Sequence, residues 1–419
     1  MELLEPSVLL GRASEIADTL LATAATNDDL SITWHRGFNV RRTPSPDAGI
    51  YNGRAGEALF FAALGSATGN NRYLNAARAA IAGVRRAFAR PSGVAAMARE
   101  YGLGLAGVGS HLYALETIGR LLDDVDIRAC ARSGVDGLTS ELIWADQKLE
   151  LFWGASGLLL GLLAVADARH DRALALAAQC GRKLVADRTV DDDTGFRAWM
   201  SYHGKPASGF AHGTSGIALS LIELHRRVPD PRLLDAVTEA FSFERTLRDP
   251  TSGNWFDIKG VKDWQCSWCH GAPGIGFARV AAAHCLGNST PSEIIDDLFV
   301  ILHRVAAYPG DMHENLCCGA LGRADFLLEA GLRLENEALI GHSHRMVAEV
   351  LRRRSGAEFW IPGDREAHLM PGMWQGLGGI GYQLVRMTDP HRFGSVLNQW
   401  STPEMASKVL VRAVAREPA

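Results

Sequence analysis

The chain lacks any apolar run of membrane-spanning length, about 18 residues or more, although 47% of its residues are hydrophobic. Residues 1–30 lack the basic start, the continuous apolar stretch and the small-residue cleavage site of a secretory signal. Charge of one sign is also lacking. Against 47 Asp and Glu stand 43 Lys and Arg, a formal net charge of -4. This leaves no basic stripe for nucleic acid and no acidic tail. The short runs Arg352-Arg353-Arg354 and Asp191-Asp192-Asp193 read as solvated helix ends or loops. Cysteine is sparse: seven residues, an odd number, unevenly spread, make a poor disulfide framework. A reducing cytoplasm is the expected location, with thiols free for a metal or for the core.

What is present centres on two segments 48 residues apart, Ser267-Trp-Cys-His-Gly-Ala-Pro-Gly274 and Asn315-Leu-Cys-Cys-Gly-Ala-Leu-Gly322. Each sets cysteine within two residues of a Gly-x-x-Gly step. Adjacent cysteines rarely bridge each other but make good neighbouring ligands, and thiolate-rich sets favour zinc.

The same step occurs seven times, beginning at Gly53, Gly104, Gly154, Gly213, Gly271, Gly319 and Gly376, at spacings of 51, 50, 59, 58, 48 and 57 residues. Nearly continuous apolar runs without strand-like alternation follow, as in Gly157-Leu-Leu-Leu-Gly-Leu-Leu-Ala. They read as helices buried on most sides. Amphipathic stretches such as Arg72 to Ala89 and Arg172 to Val185 lie between them and suit an outer layer. The predicted fold is all-α: an α/α toroid of about seven inner and seven outer helices, one domain over residues 1–419, although length alone suggests two or three. Residues 1–50 would supply the first outer helix and an arm, and 389–419 a tail. The steps would open the inner helices at one end of a central cavity. The residues before them, Asn52, Leu103, Trp153, His212, His270, Cys318 and Gln375, would then cluster. The titratable and metal-binding members fall in repeats three to six.

These residues resemble the lanthionine synthetase C-like family, zinc-dependent cyclases of lanthipeptide biosynthesis. The resemblance rests on the glycine repeat, Ala211-His-Gly, Trp268-Cys-His-Gly and Cys317-Cys-Gly, and runs from about Tyr51 to Tyr382. The motif variant is most similar to the cyclase domain of class II lanthipeptide synthetases. Stand-alone class I cyclases carry Cys-His-Gly at the last motif, where Cys318 stands here. Class II synthetases carry a large dehydratase before the cyclase, whereas about 50 residues precede the first step here. The expectation is a cyclase without its own dehydratase. Glu150 occupies the place, four residues before Gly154, where the family usually has aspartate.

The resemblance implies Zn2+ on Cys269, Cys317 and Cys318, with the fourth position open to a substrate cysteine. That thiolate would add to dehydroalanine or dehydrobutyrine in a dehydrated ribosomal precursor peptide and form a lanthionine or methyllanthionine thioether. His212 is the implied acid or base, or else a loop-orienting group. His270 would assist proton transfer or stabilise the enolate. Glu150 would orient His212 or sit favourably at a helix N-terminus. Cys266 leaves open a closed, structural four-thiolate site. Cys130, Cys180 and Cys285 read as core residues, and His342 and His344 as a solvated helix face. Trp153, Trp268 and Trp374 are candidates to line a peptide-binding cavity. A separate dehydratase or other pathway enzyme is the expected partner. The competing readings are addition of an external thiol such as glutathione, a non-catalytic zinc-stabilised scaffold, and another α/α-toroid enzyme. A toroidal glycosidase would need paired carboxylates, and Glu150 has no partner among the glycine steps.

Overall fold

The computed structural model describes residues 3–34, 49–167, 171–258, 266–308, 313–354 and 370–398. The arm between residues 35 and 48 and the tail beyond 398 lie outside the described residues. In chain order the helices are α1 (Pro6–Ala22), α2 (Arg54–Thr68), α3 (Asn71–Phe88), α4 (Pro91–Tyr101), α5 (Val108–Leu121), α6 (Val125–Asp136), α7 (Ser140–Trp144) and α8 (Ala155–Val165). They continue with α9 (Asp171–Ala186), α10 (Thr214–Arg227), α11 (Pro231–Thr246), α12 (Ala272–Leu286), α13 (Ser292–Ala306), α14 (Ala320–Arg333), α15 (Glu337–Arg353) and α16 (Leu377–Thr388). Two small antiparallel pairs complete the described structure: β1 (Ala24–Thr26) with β2 (Ile32–Trp34), and β3 (Thr189–Val190) with β4 (Arg197–Ala198).

The sequence sorts the helices into two layers. Every residue of α8 is buried, as its unbroken apolar run requires. In α3 the buried residues Tyr73, Ala76, Ala77, Ala80, Ile81, Val84 and Phe88 recur every three or four positions, so one stripe faces inward and the arginines face out. Four outer helices, α3, α6, α11 and α15, start on polar caps. Asn70 accepts from the Arg72 N–H, Asp124 from Ile127 and Asp230 from Arg232.

The inner ring runs α2, α5, α8, α10, α12, α14, α16 and returns to α2, each helix packed on the next. Helices α3, α6, α9, α11, α13 and α15 each back the inner helix that precedes them. Helix α1 backs α16, so the first outer helix closes the ring against the last inner one. This is the predicted α/α toroid. Among the described residues no helix is long and apolar enough to cross a membrane, and all seven cysteines are free.

Glycine caps all seven inner helices, at Gly53, Gly107, Gly154, Gly213, Gly271, Gly319 and Gly376. The second of these corrects the sequence reading, which begins that step at Gly104. Gly107 is the cap, Ala106 rather than Leu103 precedes it, and Ser110 stands where other repeats have their second glycine. The second glycine normally lets the helix press on the loop just before it. A Cβ on Gly274 would lie 2.0 Å from the Trp268 carbonyl oxygen, and one on Gly322 2.0 Å from that of Leu316. At the exception, Ser110 donates its N–H to Gly104 O at 3.3 Å.

The loops at these helix starts are stitched into a ring. Leu105 N–H donates to Leu151 O (2.9 Å), Phe152 to Ala211 O (3.2 Å), Ala211 to Cys269 O (3.3 Å) and Trp268 to Cys317 O (3.0 Å). Cys317 N–H donates to Trp374 O (2.9 Å) and Trp374 N–H to Tyr51 O (3.1 Å). Ile50 N–H then reaches Ser110 Oγ at 3.2 Å, linking the first repeat to the second. Tyr51, Leu105, Phe152, Ala211, Cys269, Cys317 and Trp374, each two residues before a cap, therefore occupy equivalent places around one rim.

Candidate metal centre and active site

Cys269 and Cys317 face one another because they hold the same position in adjacent repeats, and Cys318 follows one residue later. Cys269 Sγ lies 3.6 Å from Cys317 Sγ and 3.9 Å from Cys318 Sγ. All three sulfurs fall within 4.8 Å of one another. Tetrahedral zinc with Zn–S bonds of about 2.3 Å sets its sulfurs about 3.8 Å apart. The spacing and the donor chemistry therefore fit that ion. Cys317 is buried, whereas Cys269 and Cys318 are partly exposed, so the cluster keeps an accessible side. Hydrogen bonds from Cys269 and Cys318, with burial, push the Cys317 thiol well above its ordinary value. Three thiolates this close need a compensating cation, which a soft divalent metal supplies. Cys266 is buried but outside the cluster, against the closed four-thiolate alternative.

Two partners brace the sulfurs. Asn315 Oδ1 accepts the Cys318 N–H at 2.9 Å and shapes the turn between the paired cysteines. The Tyr51 hydroxyl lies 3.1 Å from Cys317 Sγ. Burial, with the neighbouring Cys317, pushes the Tyr51 phenol well above its usual range, so it remains protonated.

His212, one residue before the cap of α10, has its ring 6.2 Å from that of His270, the residue after Cys269. Its Nδ1 lies 3.5 Å from Glu150 Oε2. Glu150 is buried and also accepts the N–H groups of Phe152 (2.5 Å) and Trp153 (3.0 Å). Glu150 thus faces His212 and closes the turn that leads into α8. Glu150→Gln removes the charge and one acceptor from this turn. His270 Nδ1 lies 2.8 Å from Asp257 Oδ2, an ion pair whenever the imidazole is protonated.

Aromatic rings frame His212 on the solvent side. Trp153 packs at 4.8 Å between centroids, Phe152 at 5.1 Å and Tyr202 edge-on at 5.2 Å. Trp153 and Tyr202 remain 37% and 56% exposed, amphipathic rings open to a partner. Tyr202 is displayed by a braced turn. Ser201 N–H and Oγ both donate to Lys205 O (3.0 and 2.6 Å), and Gly204 N–H donates to Ser201 O (3.0 Å). Buried Trp199 pins the turn through Nε1 to Leu184 O at 2.7 Å.

The structure gathers His212, His270, Glu150, Cys269, Cys317 and Cys318, and changes other expectations. Trp268 and Trp374 are buried core residues, their rings 5.5 Å apart, and do not line a cavity as Trp153 can. His344 is not on a solvated face: it is buried and accepts the Leu4 N–H on Nδ1 at 3.2 Å. Arg354 turns inward to buried Glu314 at 3.3 Å, whereas Arg352 and Arg353 stay exposed, as expected of the run. Cys180 is a core residue, as expected, while Cys130 and Cys285 are partly exposed. Sequence reasoning missed Asp257, Tyr202 and Tyr51. Only Tyr51 had a signal, its place two residues before Gly53, matching Cys269 and Cys317.

The sequence profile of the lanthionine synthetase C-like protein family matches residues 44–397. The chain belongs to this family. Among solved structures, nisin cyclase superposes on this lanthionine synthetase C-like chain with a TM-score of 0.64 at 15% identity, covering 94% of this chain and 97% of its own. That likeness carries the fold. An α-1,6-mannanase from Salegentibacter sp. HEL1_6 aligns over 93% of this chain and 98% of its own at 14% identity, with a TM-score of 0.46. A curated relative is the lacticin 481/lactococcin biosynthesis protein LcnDR2 of Lactococcus lactis subsp. lactis, 25% identical over 208 residues. The match takes in 45% of this chain and 22% of that relative's length.

Proposed function

We propose that this chain is a zinc-dependent lanthipeptide cyclase that closes thioether rings in a dehydrated precursor peptide. The observation that carries the reading is the set of three thiols at tetrahedral spacing, with the His212 ring 6.2 Å from that of His270, the residue after Cys269. Cys269, Cys317 and Cys318 would hold the ion, leaving its fourth position for a substrate cysteine. Bound zinc supplies the charge that keeps this cysteine a thiolate near neutral pH. The substrate sulfur bonds to the β-carbon of a dehydroalanine or dehydrobutyrine, and the alkene electrons pass to the adjoining carbonyl as an enolate. His212, faced by Glu150, takes up the thiol proton and returns one to the α-carbon, so the addition is redox-neutral and loses no atoms. His270, paired with Asp257, stands by to stabilise the enolate oxygen.

The substrate class would be a ribosomal precursor peptide that is already dehydrated, met in a reducing cytoplasm. The exposed rings of Trp153 and Tyr202 favour a peptide chain over a small external thiol, which needs no such surface. Tyr202→Ala should raise KM for the peptide about tenfold, in the range of a lost aromatic anchor, and leave kcat nearly unchanged in steady-state assays.

The test is to incubate the zinc-loaded protein with a dehydrated peptide containing cysteine and to follow thiol alkylation by mass spectrometry. Ring closure removes alkylatable thiols without changing peptide mass. Peptide binding with no loss of thiols would leave a scaffold instead. A mass increase by an added small thiol would identify an intermolecular transferase.

A further inference from the structure

Tyr51 belongs to the first repeat, 266 residues before the cysteine it touches. Three independent contacts hold it there. Its backbone carbonyl accepts the Trp374 N–H at 3.1 Å, and the Trp374 carbonyl accepts the Cys317 N–H at 2.9 Å. Its ring stacks on Trp374, with centroids 5.5 Å apart and planes at 22°. The same ring meets Phe152 edge-on at 4.9 Å, and Phe152 packs on His212 at 5.1 Å. Backbone and side chain thus converge on one result, a hydroxyl 3.1 Å from Cys317 Sγ. A free ring has no need of so fixed a hydroxyl, and a buried sulfur that must carry negative charge does need a donor.

We infer that Tyr51 is a positioning residue for the thiol set: its hydroxyl donates to Cys317 Sγ, orients that sulfur toward the shared metal position and raises the affinity of the site for zinc. This rests on the reading of the three thiols as a zinc site. The hydroxyl neutralises part of the sulfur charge and fixes the direction of the remaining lone pairs. Groups that act on a metal ligand in this way typically account for 10- to 100-fold in affinity. Through Phe152, the ring also ties the thiol set to His212, so one residue sets the spacing between the two halves of the site.

Tyr51→Phe keeps the ring and removes only the hydroxyl. Zinc affinity is measured by competition with a chromophoric chelator, and the sulfur-to-metal charge-transfer band is recorded with cobalt in place of zinc. The expected result is about 10- to 100-fold weaker zinc binding and a displaced cobalt band. Trp374→Phe loosens the stack but retains the hydroxyl, and should change affinity far less. Zinc affinity within about twofold of wild type in Tyr51→Phe, with an unmoved cobalt band, would overturn the inference. So would an equal loss in Trp374→Phe, which would assign the effect to packing. Neither readout needs turnover. A protein that binds zinc through Tyr51 yet closes no ring would sink the cyclase reading alone, whereas a wild-type protein that takes up no zinc would sink both.

Discussion

Cys317→Ala should abolish both zinc binding and ring closure, whereas His212→Ala should keep the zinc and lose only rate, by about 10²- to 10⁴-fold. The two residues lie two repeats apart on one rim, both next to the Cys269–His270 segment, so the contrast tests function rather than location. Cys317 is the buried sulfur of the three, in hydrogen-bond contact with Cys269 and Tyr51. Its loss leaves two thiols, too few to hold a tetrahedral ion with one position open. His212 touches no sulfur among the contacts of the site. Its neighbours are Glu150, Trp153, Phe152, Tyr202 and His270. Removing its imidazole takes away a proton carrier and leaves the donor set whole. Metal content by atomic absorption and single-turnover ring closure, measured on the same preparations, separate the two. Full zinc in Cys317→Ala would move the ion elsewhere, and an undiminished rate in His212→Ala would remove histidine from the chemistry.

The toroid was legible because its determinants are local and repeated. Each inner helix needs a glycine at its start and an apolar run after it, and both are written in one short window. Repeat two shows where that legibility stops. Gly104-Leu-Ala-Gly107 and Gly107-Val-Gly-Ser110 overlap, and only the loop's hydrogen bonds to Leu151 and Phe152 decide which glycine caps α5. The clustering of the three thiols was legible from spacing, since adjacent repeats place Cys269 and Cys317 at equivalent positions. Asp257 was not, because it comes from an irregular loop outside the repeat and meets His270 only in three dimensions. Trp374 misled for a related reason. It sits at the same rim position as the cysteines, but is fully buried, stacked on Tyr51 and tilted against Trp268. His344 lies two residues from His342 on one helix, so the two point in different directions, and His344 faces inward.

Far from the thiols, Arg386→Ala should be among the most destabilising single changes, at roughly 3–5 kcal/mol, because it strands buried carboxylates. The Arg386 side chain is fully buried on α16. Its Nε lies 2.6 Å from Asp325 Oδ1 and its Nη2 2.6 Å from Glu329 Oε2, both on α14. Its Nη1 also donates to Phe393 O at 2.8 Å, fastening the segment after α16. One guanidinium therefore holds two inner helices and the chain beyond them. Burial pushes the Asp325 carboxyl up even though Arg386 pulls it down. Burial also raises Glu329, but Arg333 and Arg386 together outweigh it and hold that carboxyl below its ordinary value. Without Arg386, Glu329 keeps Arg333 at 2.7 Å, whereas Asp325 keeps the Ser395 hydroxyl, which carries no charge. Asp325 should then rise further above its unfolded value. A carboxyl raised in the folded state favours folding most when protonated, so the deficit should be full at neutral pH and shrink as pH falls. Arg386→Lys, which retains charge but not the two-pronged geometry, should lose less. Urea unfolding of both variants at neutral and mildly acid pH measures the effect. A pH-independent deficit would assign the loss to packing of the side chain rather than to its charge.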